Sequence, residues 1–212
     1  MTPSEARALR DTARRLLPVG FGCAVLPISA PAPPLLRAER EAMARAVPKR
    51  VHEFALGRAA LRQAIAEAGH NLSPDAPIAM RPDRRPDLPA GIRASLSHSD
   101  QFCIAIAAPI GGPHPGVDIE PMDEGRAPEA LRQVVEPARS RGAELPPLLV
   151  FSAKEAMFKA QYPLTGQMLD FSDLAMVFAG PRCRARVKGG RMLSGRWAIC
   201  GGHYLSISLC AG

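Results

Sequence analysis

A chain of 212 residues, 47% of them hydrophobic, can bury the core of one large domain or two small lobes; with only 5% aromatics, that core must rest on Leu, Val, Ile, Ala and Met. Its formal charge of +7 and isoelectric point near 9.6 call for an anionic partner, but the basic residues are scattered, without interleaved aromatics, which argues against a nucleic-acid module. No apolar run reaches the roughly 18 residues of a membrane span, the first residues do not read as an export signal, and the five cysteines contain no C-x-x-C, so a cytoplasmic protein without membrane insertion, zinc site or disulfide framework is expected.

In chain order, Thr2-Pro3-Ser4-Glu5 reads as a capping box that opens an amphipathic helix to about residue 17. A strand over about 21–28 follows, then a Pro-rich stretch and a short helix over about 36–46. Pro48 starts a longer helix through about residue 68, closed by Gly69, with Val51, Phe54, Leu61 and Ile65 as its buried stripe and Arg50, Arg58 and Arg62 on another face. Short extended pieces are expected at 78–81 and 94–97, and a strand at 102–108. Beyond Gly111-Gly112-Pro113 the pattern predicts a strand at 117–120, helices at about 128–141 and 147–161, and strands near 171–178, 183–187, 195–200 and 204–209. The two halves share an order of elements without a sequence repeat. The expected fold is α+β, with an N-terminal lobe over 1–110 and a C-terminal lobe over 111–212, each a small, largely antiparallel sheet packed with helices.

Two acidic words carry the chemistry: Gly116-Val117-Asp118-Ile119-Glu120, and the run from Phe151 to Ala160 containing Lys154, Glu155 and Lys159. In a strand, Asp118 and Glu120 leave the same face and could grip one ion. On a helix, Glu155 and Lys159 share a face and could address one ligand. Three carboxylates with lysines suit Mg²⁺ and phosphate oxygens. Each half also has a plain reading, a solvated turn or an i,i+4 surface ion pair worth about 0.3–0.5 kcal/mol. Composition favours the sharper one. Of the 27 Lys and Arg residues only Lys49, Lys154, Lys159 and Lys188 are lysine, and two of these lie within one short helical run, where a compact ammonium differs from a planar guanidinium.

Four words taken together resemble the 4′-phosphopantetheinyl transferases, and within them the short monomeric type similar to the enterobactin-synthase activating enzyme. They are Arg50-Val51-His52-Glu53-Phe54-Ala55-Leu56-Gly57-Arg58, Ser95-Leu96-Ser97-His98-Ser99, Gly116 to Glu120, and Phe151 to Ala160. The likeness covers roughly residue 48 to the C-terminus. It implies two lobes related by a pseudo-twofold, a cleft between them for coenzyme A and Mg²⁺, and transfer of phosphopantetheine to a serine of an acidic apo carrier protein (peptidyl, aryl or acyl), with release of adenosine 3′,5′-bisphosphate. The pathway, whether siderophore, other non-ribosomal peptide, polyketide or fatty acid, stays open.

By the same resemblance Asp118, Glu120 and Glu155 are metal ligands, and Arg50, Arg58, Arg81, Arg85, Ser97, His98 and Lys159 hold coenzyme A, with Asp118 and Glu155 also contributing there. Glu155, Lys159 and His98 are the expected catalytic residues, and Glu155 or a metal-bound water is the expected base. Adjacent Ser97 and His98 would point to opposite faces of a strand, so they do not make a nucleophile-base pair. The chain departs from the family where Arg93-Ala94 precede the Ser-His word and where Phe151 replaces a frequent Trp. A non-catalytic coenzyme A or nucleic-acid binder and a Mg²⁺ phosphohydrolase are the alternatives.

Overall fold

In the computed structural model, which describes residues 3–123, 125, 131, 139–140 and 143–211, two antiparallel sheets are each backed by one long helix. Helix α1 (Pro3–Leu16) and strand β1 (Gly22–Pro27) precede the short α2 (Arg37–Ala42) and the long α3 (Pro48–Glu67). Strands β2 (Ala94–His98) and β3 (Phe102–Ala107) complete a sheet ordered β1-β3-β2. Strand β4 (His114–Pro121) is followed by a small ladder of β5 (Arg139–Ser140) and β6 (Ala143–Glu144), then by α4 (Pro147–Thr165). Strands β7 (Leu174–Ala179), β8 (Arg182–Val187), β9 (Met192–Cys200) and β10 (His203–Cys210) join β4 in a second sheet ordered β4-β10-β9-β8-β7. The expected α+β class is the one observed.

Strand alternation builds three apolar layers. One side of both sheets meets α1 in a central layer that includes Leu9, Val25, Ile104, Val117 and Ile207. The opposite side of the first sheet packs Cys103 and Ala105 against Leu56, Leu61 and Ile65 of α3. The opposite side of the second packs Leu193 and Tyr204 against Leu149, Ala153 and Met157 of α4. Each buried large aliphatic side chain contributes about 1.5–3 kcal/mol relative to exposure.

Both sheets follow one plan. The first strand pairs antiparallel with the last, Gly22 opposite Ala107 and His114 opposite Cys210, and the intervening long helix crosses the first strand at a glycine. A Cβ on Gly22 would stand 1.9 Å from the Ala64 carbonyl oxygen and 2.7 Å from the Ala68 nitrogen. One on Gly116 would stand 2.0 Å from the Ala156 oxygen and 2.6 Å from the Ala160 nitrogen. Helix and strand backbones therefore touch at equivalent places in the two halves, a repeat in packing that the sequence does not repeat.

Several expectations change in detail. Thr2 and most of the expected helix over 128–141 lie outside the described residues. Residues Phe171–Asp173 form a 3-10 turn, so β7 begins at Leu174; the Asp173 carboxylate accepts from the Asp170 amide (2.9 Å) and closes the chain before it can extend. The extended piece near residue 80 is a single bridge, Met80 to Pro86. On α3, Val51 is only half-buried, while Leu56, Ala60 and Ala64 carry the packing. Arg58 does not project into solvent but is 5% exposed, because residues 78 and 79 cross that side of the helix and take its hydrogen bonds. Among the described residues no helix is long and apolar enough to cross a membrane.

Gly116→Ala should cost about 3 kcal/mol, since backbone rather than a flexible side chain must move. Gly57→Ala, whose Cβ would make an ordinary 3.5 Å contact with Leu96, should be neutral or gain up to about 1 kcal/mol from helix propensity. Urea unfolding of the two variants measures the contrast, and equal midpoints would refute the close-approach reading.

Candidate active site

Because Val117 and Ile119 point into the central layer, the pleat turns Asp118 and Glu120 toward α4. Helical spacing places Glu155, Phe158, Lys159 and Tyr162 along one side of α4, and all four line a cleft of about 960 Å³. Lys159 crosses to β4 and donates to Asp118 Oδ1 at 2.6 Å. It also reaches the Val117 carbonyl at 3.3 Å and Ser97 Oγ at 3.4 Å. Ser97 on β2 donates its hydroxyl proton to the same Asp118 Oδ1 at 2.8 Å. Asp118 is 3% exposed, and its Oδ2 is buried without a partner. Of the two helical residues expected to work as a unit, Lys159 thus pairs with Asp118 rather than with Glu155.

The facing wall comes from α3, β2 and the loop over 79–92. Arg50 Nη1 donates to His98 Nε2 at 2.9 Å, which makes that nitrogen an acceptor and leaves the proton of the neutral ring on Nδ1. Burial holds His98 below the ordinary imidazole range, with Arg50 and Lys159 adding to the effect against Glu53 and Asp118. Glu53, nearly buried, accepts from Arg50 at 3.5 Å and orients it.

Arg58 lies 3.8 Å over the Phe54 ring and donates to the carbonyls of Ile78 (2.6 Å) and Ala79 (3.2 Å); burial pushes its guanidinium down to about 10. It therefore fixes the start of the loop while standing in the cleft wall. Within that loop Arg81 pairs with Asp87 and Arg85 with Asp83, each at 2.8 Å, and Arg85 sits 4.8 Å over the Tyr162 ring. The loop thereby bridges α3 to α4.

The carboxylates on the other side repel one another. Glu120 is pushed up from 4.5 to about 7 by burial first, then by the charges of Asp118 and Glu155, with Lys159 opposing. Burial also raises Glu155, Asp118 adding and Lys159 subtracting. Among the described residues, no three His, Cys, Asp or Glu side chains gather closely enough to enclose a metal ion as they stand. The donor chemistry nonetheless suits a hard divalent cation. One buried carboxylate oxygen is orphaned, two neighbouring carboxyls carry raised affinity for a proton, and the position beside Asp118 is taken by an ammonium.

Arg50, Arg58, Arg81, Arg85, Ser97, His98, Glu155 and Lys159 all line one cleft, whereas Asp118 and Glu120 stand outside its lining. Lys154 belongs elsewhere: it is 1% exposed and donates to the Phe171 carbonyl at 2.7 Å, tying α4 to the 3-10 turn. Arg93 donates to the Gly112 carbonyl and holds the connector between the sheets. Phe151 packs against Phe171, with ring centroids 5.3 Å apart.

Sequence reasoning missed Glu39, which is 2% exposed and accepts from Arg62 Nη2 (2.7 Å), the Ile78 amide (2.9 Å) and the Leu36 amide (3.0 Å), anchoring the entrance of the loop. It also missed Phe158 and Tyr162 as cleft residues, although their i,i+3 and i,i+7 spacing from Glu155 marked them.

The family model for the 4′-phosphopantetheinyl transferase N-terminal domain matches residues 38–108, and that for the 4′-phosphopantetheinyl transferase superfamily matches residues 115–199. The chain is 38% identical over 180 residues to 4′-phosphopantetheinyl transferase Svp of Streptomyces mobaraensis, an alignment covering 74% of this chain and 70% of that protein. The chain belongs to the 4′-phosphopantetheinyl transferase superfamily. Other similar phosphopantetheinyl transferases are Npt of Nocardia iowensis, 32% identical over 66% of this chain and 65% of its own, and PptT of Mycobacterium tuberculosis, 31% identical over 66% and 63%. This phosphopantetheinyl transferase is accordingly an enzyme of the transferase class, and nothing in these names bears on the narrower enterobactin-type likeness.

The raised Glu120 sets a pH dependence. Between about 4.5 and about 7 the folded transferase holds a proton that the unfolded chain has released, so stability falls as pH rises through that window. Urea midpoints of the metal-free protein should fall from about pH 5 to about pH 8, and Glu120→Gln should flatten that dependence. Equal slopes for wild type and variant would contradict it.

Proposed function

We propose that this chain moves the 4′-phosphopantetheine group of coenzyme A onto a serine hydroxyl of an acidic apo carrier protein and releases adenosine 3′,5′-bisphosphate. The observation that carries the reading is the pair of half-buried Lys159 with buried Asp118 and its orphaned Oδ2, at a cleft whose opposite wall bears Arg50, Arg58, Arg81, Arg85 and His98. A cleft of about 960 Å³ is at the upper end of the usual range for small-molecule sites and accommodates a nucleotide with a long arm. We place the division between lobes at residues 110 and 111, with the reaction between them.

Asp118, Glu120 and Glu155 would hold Mg²⁺, which when bound supplies neutralisation of pyrophosphate charge. The chain's own residues do the rest. Arg50, Arg81 and Arg85 receive the anionic nucleotide end, and their existing contacts with Glu53, Asp87 and Asp83 pre-orient them for it. His98 offers Nδ1–H, and Lys159 offers an ammonium, to oxygens of the pyrophosphate.

Glu155, whose proton affinity burial raises, is suited to accept the proton of the carrier serine. The serine oxygen bonds to the phosphorus nearest the pantetheine arm, and the bond from that phosphorus to the bridging oxygen breaks. The bond electrons leave with adenosine 3′,5′-bisphosphate. The protein's net charge of +7 favours encounter with both coenzyme A and an acidic carrier.

Incubation with coenzyme A, Mg²⁺ and a panel of apo acyl, aryl and peptidyl carriers, including those of siderophore synthetases, should add one phosphopantetheine mass to at least one of them. Asp118→Asn should lower the transfer rate by about 100-fold or more while preserving the circular dichroism spectrum. Binding of coenzyme A without mass gain on any carrier would identify a non-catalytic binder, and nucleotide release without a carrier would identify a phosphohydrolase.

A further inference from the structure

The second sheet extends beyond the element that covers its back. There α1 covers β10 and the near edge of β9, and the remaining back face carries Arg182, Arg184 and Arg186 of β8 with Arg196 of β9, all exposed. Their neighbours at alternate positions, Leu193, Ala185 and Cys183, are buried toward α4, which fixes the arginines on the opposite side.

Among the described residues none of the four forms an ion pair or side-chain hydrogen bond, whereas most arginines of the first half do. Arg182 stands directly opposite Arg196 in the β-ladder, a like-charge pair that costs stability unless an anion is shared. Arg182, Arg184 and Arg196 line a groove of about 400 Å³ whose other wall is Leu16, Leu17 and Pro18 at the end of α1. Val177 and Met192, 65% and 54% exposed, sit across the ladder from Arg184 and Arg186.

We propose that this arginine-lined back face is a docking surface for an acidic protein segment, separate from the cleft and independent of what the cleft does. Four guanidinium forks without partners among the described residues match carboxylates, and the adjoining Leu, Val and Met side chains match the apolar residues between them. Arginine and methionine beside exposed aliphatic surface is an interface composition. The described back face offers no aromatic ring for a base to stack on, which favours protein over single-stranded nucleic acid.

The test uses a fluorescein-labelled amphipathic peptide of glutamate and leucine, read by anisotropy against the full chain. Wild type should bind it with an affinity that falls with salt. The triple variant R182Q/R184Q/R196Q, and separately Arg184→Glu, should bind about tenfold more weakly with a melting temperature no lower than that of wild type. Arg50→Gln, whose guanidinium faces the cleft, should bind the peptide as wild type does. Absence of wild-type binding, binding by the triple variant within twofold of wild type, or a labelled oligothymidylate held more tightly than the peptide through these arginines would each overturn the proposal.

Discussion

The ammonium of Lys159 and the carboxylate of Asp118 meet where the two sheets and α4 converge, and the geometry of the cleft depends on that meeting. Asp118 is on β4, Lys159 on α4, and Ser97, which shares Asp118 Oδ1 with the lysine, is on β2 of the other sheet. A carboxylate this buried is costly without compensation, and removing one partner of such a pair commonly costs several kcal/mol. The cluster therefore fixes the relative placement of three elements. It also leaves one oxygen of Asp118 unsatisfied, so the arrangement is complete for holding the fold and incomplete as a set of hydrogen bonds.

What allows the pair to form is backbone proximity. Gly116, two residues before Asp118, lets β4 touch the α4 backbone at Ala156 and Ala160, adjacent to Lys159. The same device at Gly22 brings β1 against α3, which presents Arg50 and Arg58 on the far wall. Two helix-on-strand units with equivalent close approaches thus face one another: α3 and the loop line the cleft with arginines, and α4 lines it with Glu155 and Lys159, while Asp118 and Glu120 of β4 stand outside its lining. The loop over 79–92 spans them, held at one end by Arg58 and the buried Glu39 and at the other by Arg85 over Tyr162.

The sequence made part of this legible, and the boundary is physical. Strand alternation placed Asp118 and Glu120 together, and helical spacing placed Glu155 with Lys159, because both follow from local periodicity. The partner of Lys159 did not follow, since Asp118 is 41 residues away and only the fold brings it within 2.6 Å. Glu39 and Glu41 look alike on one short helix, yet one is buried in a network and the other is exposed beside Arg37; the difference lies in residues 76–78, which cross α3. Likewise Lys154 and Lys159 differ by five positions, enough rotation to turn one into the core and the other into the cleft. Arg58 read as a ligand-facing residue is also a structural tie, which no spacing rule distinguishes.

We propose that the Lys159 ammonium holds the place of a divalent cation at Asp118 until the pyrophosphate of coenzyme A draws it away. Electron paramagnetic resonance of Mn²⁺, a hard cation with the same preference for oxygen, measures this directly in wild type and Lys159→Met, each with and without coenzyme A. Wild type alone should bind Mn²⁺ weakly, and coenzyme A should tighten that binding about tenfold or more. In Lys159→Met, binding would already be tight without coenzyme A. Equal Mn²⁺ affinity of the two proteins in the absence of coenzyme A would contradict it.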